Sequence, residues 1–93
     1  MSFKTRYDFD SLVNEAERLV IEELERRLAD TETLYSEDAI LDMAAYALNH
    51  VPPMYRANLL GRLYASALET ESAPAVRDAV DDAIRKVAQN PPE

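Results

Sequence analysis

A double proline follows the most apolar stretch of the chain and limits how far its central helix can run. In Ile40–Tyr55 (ILDMAAYALNHVPPMY), apolar residues recur three and four positions apart, which is the spacing of one helical face. Pro52 and Pro53 have no backbone N–H to continue that helix. Because a residue before proline favours extended backbone, the pattern predicts a helix with Asn49 near its C-terminus and an extended or turn-like segment over Asn49–Tyr55.

Helical spacing also occurs before this stretch. One helix is expected over Ser11–Ala29, with Asp10 or Ser11 as its N-cap. A second is expected over Glu37–Leu48, where the Ser36 hydroxyl precedes two acids that face the positive end of the helix dipole.

The C-terminal half leaves two alternatives open. Apolar residues after Tyr55 have helical spacing, but glycine in a helix interior costs about 1 kcal/mol, so either a turn or helix start near Gly61 or an unbroken helix is expected. Glu69–Ala73 is predicted to be a polar link, and Pro74 suits the first turn of a last helix, Ala73–Gln89. No segment alternates convincingly like a β-strand. The prediction is an all-α domain of four to five helices, with residues 1–10 as an N-terminal arm and residues 11–93 as the single domain.

The residue types exclude several kinds of site. The 93 residues include no cysteine and one histidine, so there is no disulfide and no thiolate or histidine pair for zinc, and neither a metal nor a cofactor is expected. No stretch reaches the ~20 apolar residues of a membrane span, and the first ten residues lack the apolar core of a signal peptide. We therefore expect a cytoplasmic protein without membrane contact.

The net negative charge of the chain argues against polyanionic partners, but two short stretches are locally basic. The formal net charge of −8 opposes sequence-independent binding to a nucleic acid polymer or an anionic membrane. No acid occurs in residues 43–68, a window that contains Arg56 and Arg62, and Lys4 and Arg6 form a second small basic cluster. The window is either a dedicated anion site or an apolar core segment that holds few charges.

The first predicted helix indicates a partner subunit. A chain of this length withdraws only about 60–70% of its unfolded surface from water, and the apolar arc of Ser11–Ala29 is wider than a single stripe. Glu23 and Arg27 fall inside that arc at the i,i+4 spacing of a salt-bridge pair. They are either candidates for an intersubunit contact or side chains that snorkel at the edge of an intramolecular core. We expect a homodimer, intertwined or side by side.

The residues around the double proline resemble a known family. ALNHVPPMY, residues 47–55, is similar to the A-L-N-x-[LV]-P-x-x-Y core of the late competence development protein ComFB family. The family's G-x-L-Y pattern and its opening and closing helices are also matched, at Gly61, Leu63 and Tyr64, at Asn14, Glu17, Val20 and Glu23, and at Val80–Pro91. The resemblance covers roughly residues 10–92.

This resemblance implies a small helical domain that pairs as a homodimer, has no catalytic constellation and serves regulation. Some family members are receptors for cyclic dinucleotides, chiefly cyclic di-GMP, and others bind zinc through a cysteine cluster between the first two helices. The zinc function does not carry over, because Asp30–Tyr35 holds no cysteine. The chain also departs at Arg56–Leu60, RANLL, where relatives have a more polar segment with a lysine before the glycine.

A cyclic dinucleotide site needs cations or donors for the phosphates and flat groups for the bases. Arginines of the acid-free window could supply the first and tyrosines such as Tyr55 the second, and each would occur twice in a homodimer. The alternatives are tyrosines that pack with the hydroxyl at the core rim and arginines that are solvated. The candidate ligand-binding residues are Arg56, Arg62, Tyr55, Asn49, Lys4 and Arg6.

Enzyme chemistry has little support in the sequence. The serines lie at cap or helix-surface positions, one histidine is the sole imidazole base, and no Gly-rich phosphate loop occurs. Two hypotheses stay open. One is a non-catalytic regulatory module that binds cyclic di-GMP as a homodimer, and the other is a structural dimerisation or adaptor protein whose acidic outer face contacts another protein without a small-molecule ligand.

Overall fold

The computed structural model describes residues 2–57 and 59–90, and within the last helix the side chains of residues 59–66 and 68 lie outside the described part. The described chain is mainly helical, which confirms the all-α prediction, with one 3-10 turn (Phe9–Ser11) and one pair of two-residue strands. Its elements are α1 (Phe3–Arg6), β1 (Val13–Asn14), α2 (Glu15–Leu28), α3 (Glu37–Leu48), β2 (Tyr55–Arg56) and α4 (Leu59–Gln89).

Three helices build the core from side chains spaced one turn apart. α4 packs against both α2 and α3, and α2 packs against α3. The spacing of the buried positions matches the 3.6-residue helical period, so each helix presents one stripe to the others. The buried stripes are Ala16, Val20 and Leu24 on α2, Ala39, Met43 and Ala47 on α3, and Val76, Ala79, Val80, Ala83 and Val87 on α4.

Helix α3 has the bounds that the sequence predicts. The Ser36 Oγ accepts the backbone N–H of Ala39 at 3.1 Å, as an N-cap does. At the other end, the Asn49 N–H donates to the Ala45 carbonyl at 3.1 Å, and Asn49 keeps right-handed helical backbone. The predicted position of Asn49 at the C-terminus is confirmed.

The segment after α3 is turn-like and then extended, as predicted. Pro52 and Pro53 are exposed and lie outside any helix, whereas Val51 and Met54 on either side of them are buried. The prolines therefore face solvent while their neighbours close one end of the core.

The predicted start of the first long helix is wrong. Helix α2 begins at Glu15, and its N-cap is Asn14, not Asp10 or Ser11. The reason is a tertiary contact: β1 is extended because it pairs antiparallel with β2, with Val13 opposite Arg56 and Asn14 opposite Tyr55. This strand pair was not expected from the sequence.

The predicted link Glu69–Ala73 is also wrong, because α4 runs through it and contains Pro74 in its interior. A proline there removes one backbone hydrogen bond, but the buried stripe that follows Pro74 keeps the helix against the core. Near Gly61 the structure combines the two alternatives: α4 starts at Leu59, so the glycine lies in its first turn, and the helix then continues unbroken.

The segment predicted as an N-terminal arm contains α1 and most of the 3-10 turn, and its described residues are all exposed. Among the described residues, no helix is long and apolar enough to cross a membrane.

Candidate functional site

One asparagine joins the start of α2 to the end of the proline segment. The Asn14 Oδ1 accepts the N–H of Ala16 at 3.1 Å and also the N–H of Met54 at 2.8 Å. The Glu15 N–H donates in return to the Met54 carbonyl at 2.8 Å. A single side chain thus caps a helix and holds a backbone group forty residues away in sequence.

The Glu15 carboxylate lies between two arginines. It accepts the Arg18 Nε–H at 2.9 Å and the Nε–H of Arg56, and the side chains of Glu15 and Arg56 are only 11% and 22% exposed. The hydrogen bonds from Arg18 and then from Arg56 hold the pKa of Glu15 below its ordinary value, against the opposite effect of burial. Arg18 also binds Glu22 at 3.1 Å and Glu69 at 3.0 Å, so the network links α2, β2 and α4.

An open groove of about 700 Å³ lies beside this network, between the strand pair and the outer side of α2. We call it the junction groove. Its volume falls within the range of small-molecule sites, about 300–1,000 Å³. Its walls include exposed apolar side chains and both arginines of the network, namely Leu12, Val13, Ile21, Tyr55, Arg18 and Arg56.

A second groove, of about 610 Å³, lies between α2 and α3, and we call it the helix groove. Its walls are almost entirely apolar, and Ile21 and Leu41 at its edges are 55% and 58% exposed. Ile21 lines both grooves, so they adjoin along the outer side of α2.

Exposed large hydrophobic side chains are concentrated in two regions of the described chain. Apart from Leu34, which is almost fully exposed in the link between α2 and α3, all of them either line the two grooves or belong to Phe3–Phe9. Contiguous exposed apolar surface of this kind marks interaction sites.

The structure brings together two of the six predicted ligand-binding residues. Tyr55 and Arg56 are neighbours on β2 and both line the junction groove. The Tyr55 side chain is 63% exposed, so it does not pack into the core. Arg56 is neither solvated nor free, because Glu15 already holds its guanidinium.

The other four candidates lie elsewhere or outside the described part. Asn49 ends α3, and Lys4 and Arg6 lie on α1; none of the three is among the described residues that line the junction groove. The side chain of Arg62 lies outside the described residues. Of the six candidates, Tyr55 and Arg56 are therefore the two that share one groove in what the structure describes.

The ion pair predicted between Glu23 and Arg27 is wrong. Glu23 accepts the Arg26 Nε–H at 3.0 Å, which lowers the pKa of Glu23. Arg27 donates to Asp81 on α4 at 2.7 Å and lowers the pKa of that carboxyl. Both side chains are engaged within the chain: Arg26 holds Glu23, and α4 offers Arg27 a carboxylate that spacing along α2 cannot reveal.

The start of α2 and the segment Met54–Arg56 are held together by Asn14, Glu15 and Arg18, and we call this contact the junction. Sequence reasoning missed these three residues. A signal was present, since Asn14 is a good N-cap residue and is followed by the acids Glu15 and Glu17 in the first turn. The partner residues on β2 could not be read from that local pattern. Within residues 2–57 and the described part of α4, no group of three or more His, Cys, Asp or Glu side chains could hold a metal ion.

Fold and surface together define a small all-α domain whose exposed apolar surface runs along α2. The family model of the late competence development protein ComFB matches residues 13–91, well over half of the chain. The chain belongs to the ComFB family, which confirms the resemblance noted in its sequence. Among proteins with curated descriptions, none matches it. The family match begins at the first residue of β1, so the arm precedes it.

Proposed function

We propose that this chain is a non-catalytic regulatory module that works as a homodimer and binds a cyclic dinucleotide, with cyclic di-GMP as the first ligand to test. The family's name ties it to late competence development, and we place the chain in a regulatory role of that kind. The observation that carries the proposal is the exposed apolar surface along α2, where the junction groove and the helix groove meet at Ile21. Surfaces of this kind are found where proteins bind other molecules.

The helix groove supports the homodimer. A second copy that covers Ile21 and Leu41 would remove two half-exposed aliphatic side chains from water on each protomer. Sedimentation of the unmodified chain at micromolar concentration is expected to give about twice the 10.5 kDa chain mass.

A matched pair of variants tests whether the helix groove is the interface. Leu41→Glu puts a charge at the groove edge and is expected to yield monomer, because an unpaired charge is costly in a buried interface. Leu34→Glu makes the same change at a side chain that is 97% exposed and outside both grooves, and it is expected to leave the dimer intact. A monomeric wild-type chain, or equal dissociation in both variants, contradicts the assignment.

The junction groove supports the ligand. Tyr55 offers an exposed ring for base stacking beside the guanidinium of Arg56. A phosphate would have to replace Glu15 as the partner of Arg56, and charge-assisted hydrogen bonds of this kind contribute about 1.5–3 kcal/mol each. Glu15 therefore competes with the ligand, and the wild-type affinity is expected to be lower than for an unpaired arginine.

Calorimetry with cyclic di-GMP tests the ligand site. Arg56→Ala and Arg62→Ala are each expected to weaken binding roughly tenfold or more. Arg85→Ala changes the net charge equally at an exposed arginine on α4 that pairs with Asp81 and Asp82, and it is expected to do little. Glu15→Gln is expected to tighten binding because it removes the competing carboxylate.

The adaptor function without a small-molecule ligand is the second candidate, and the Glu15–Arg56 pair favours it, since a satisfied arginine has no need of a phosphate. No measurable heat with any cyclic dinucleotide up to a roughly millimolar ligand concentration, together with an intact dimer, would leave the adaptor as the better proposal. Equal losses for all three arginine variants would indicate diffuse electrostatics.

A further inference from the structure

The described residues before β1, Ser2–Leu12, take in the predicted N-terminal arm and two residues beyond it, and from here on we call them the arm. The arm presents aromatic side chains to solvent. Phe3, Tyr7 and Phe9 are 67%, 53% and 47% exposed. Phe3 and Tyr7 form an edge-to-face pair with ring centroids 5.2 Å apart, and the Arg6 guanidinium lies 5.7 Å from the Tyr7 centroid. Aromatic rings with an adjacent arginine are the residue types enriched at the centre of protein interfaces.

Every hydrogen bond that the structure describes for the arm stays within the arm. Backbone bonds join Tyr7 to Phe3 and Leu12 to Phe9, and the Asp8 carboxylate holds the Asp10 N–H and the Ser11 hydroxyl. Among the described hydrogen bonds, the arm therefore has its own local order and no bond to α2, α3 or α4.

The helix groove carries one charge of the opposite sign. Glu25 is the one acid among the described residues that line it, whereas Glu17 and Glu22 line the adjoining junction groove, where Arg18 already pairs with Glu22. The first part of the arm carries the cations Lys4 and Arg6, and its second part carries Asp8, which is used in the local turn, and Asp10. Neither cation has a carboxylate partner among the ion pairs of the described residues.

Two grooves facing each other would be electrostatically unfavourable. In a two-fold interface the same patch meets itself, so Glu25 of both protomers would enter the interface, and no described residue that lines the helix groove offers a cation to either of them. The arm of a second copy instead brings cations to Glu25 and aromatic rings to the apolar wall.

We infer that in the homodimer the arm of each protomer lies in the helix groove of its partner, with its aromatic side chains against Ile21 and Leu41 and with Lys4 and Arg6 beside Glu25. The inference rests on the homodimer of the proposed function and names the segment that forms its interface. It leaves the junction groove open to a ligand.

Disulfide trapping tests the inference cleanly, because the chain has no cysteine of its own. Thr5→Cys, which keeps the arm's aromatic and basic residues, is mixed with Ala29→Cys, at an exposed position that lines the helix groove. The control partner is Ala88→Cys, the same substitution at an exposed position of α4 that lines neither groove. The inference predicts that the Thr5→Cys chain couples to Ala29→Cys at least tenfold faster than to Ala88→Cys.

Because each chain in the mixture carries one cysteine, a mixed disulfide reports contact between protomers only. Equal coupling to both partners in a chain that sediments as a dimer would overturn the arm placement and leave the homodimer standing. A wild-type chain that sediments as a monomer would overturn both.

Charge reversal gives an independent check. Lys4→Glu is expected to weaken the dimer several-fold more than Lys86→Glu, which reverses an exposed lysine on α4. Glu25→Lys combined with Lys4→Glu is expected to recover most of that loss. The absence of recovery, with Lys4→Glu no worse than Lys86→Glu, would place the arm outside the interface.

Discussion

Helices α2 and α3 begin in the same way but depend on different parts of the chain. Each has a polar N-cap side chain that accepts a backbone N–H of its own first turn at 3.1 Å, from Asn14 in α2 and from Ser36 in α3. The Ser36 side chain makes only this local contact among the described hydrogen bonds, whereas the Asn14 side chain also holds the N–H of Met54. The start of α3 is therefore set by its local sequence, and the start of α2 by a contact made in the folded state.

Alanine at the two caps measures this difference directly. Ser36→Ala is expected to lower the free energy of unfolding by about 1 kcal/mol, as loss of an N-cap does. Asn14→Ala also leaves the buried N–H of Met54 without a partner, which adds about 1–3 kcal/mol, so its total is expected to be about 2–4 kcal/mol. Urea unfolding of the two variants gives both values, and equal losses would mean that the Met54 contact adds nothing.

The Glu15 carboxylate makes the stability of the junction depend on pH. Its pKa is lowered in the folded state, first by Arg18 and then by Arg56, so its ionised form stabilises the fold above the pKa of the unfolded chain. That contribution is lost as the pH falls through the lower, folded value. The wild-type chain is therefore expected to lose unfolding free energy below about pH 5.

Glu15→Gln is expected to lower the free energy of unfolding by about 1–2 kcal/mol at pH 7, because neutral hydrogen bonds replace charged ones. The difference between wild type and variant should shrink as the pH falls. Glu17→Gln is the control, because Glu17 lies two residues after Glu15 on α2 and is exposed. It should leave the pH profile of stability close to that of wild type. A Glu15→Gln difference that stays constant down to pH 3 would show that the ion pairs do not stabilise the junction.

Pro53 tests how much the local sequence after α3 contributes to stability, and its substitution has the smallest expected effect. Because it is exposed in the extended segment, Pro53→Ala mainly enlarges the unfolded ensemble and is expected to cost about 0.4–1 kcal/mol. Urea unfolding measures it beside the two cap variants. A gain in stability would mean that the segment is strained by its double proline.

The parts of the fold that could be predicted are those decided by neighbours in sequence. Ser36, the acids after it and the double proline all act within a few residues, and they place α3 and its end correctly. Asn14 was not predicted as the cap, because the strand that pairs with β1 and makes it extended is β2, about forty residues later in the sequence. The helix start predicted near Pro74 was wrong for a related reason. A proline is typical of the first turn of a helix, but burial of the α4 stripe against two other helices keeps α4 continuous through Pro74.

The candidate site was predictable only in its residue types. Arg56 was expected to bind a ligand because it is a cation in the acid-free window, and Tyr55 because its ring could stack on a base, and both line one groove. That Glu15 occupies Arg56 could not be predicted, since it requires α2 and β2 to meet. Arg27 shows the same limit, because its carboxylate partner on α4 is fifty-four residues away.

The contact between Asn14 and Met54 also bears on the order in which the chain folds. Helices close contacts between residues four apart, whereas this contact closes a loop of forty residues and carries a larger entropic cost before it forms. We expect it to form after the folding transition state, so that Asn14→Ala speeds unfolding and leaves the folding rate almost unchanged. The junction would then govern how long the native state lasts, and the helices how quickly it is reached.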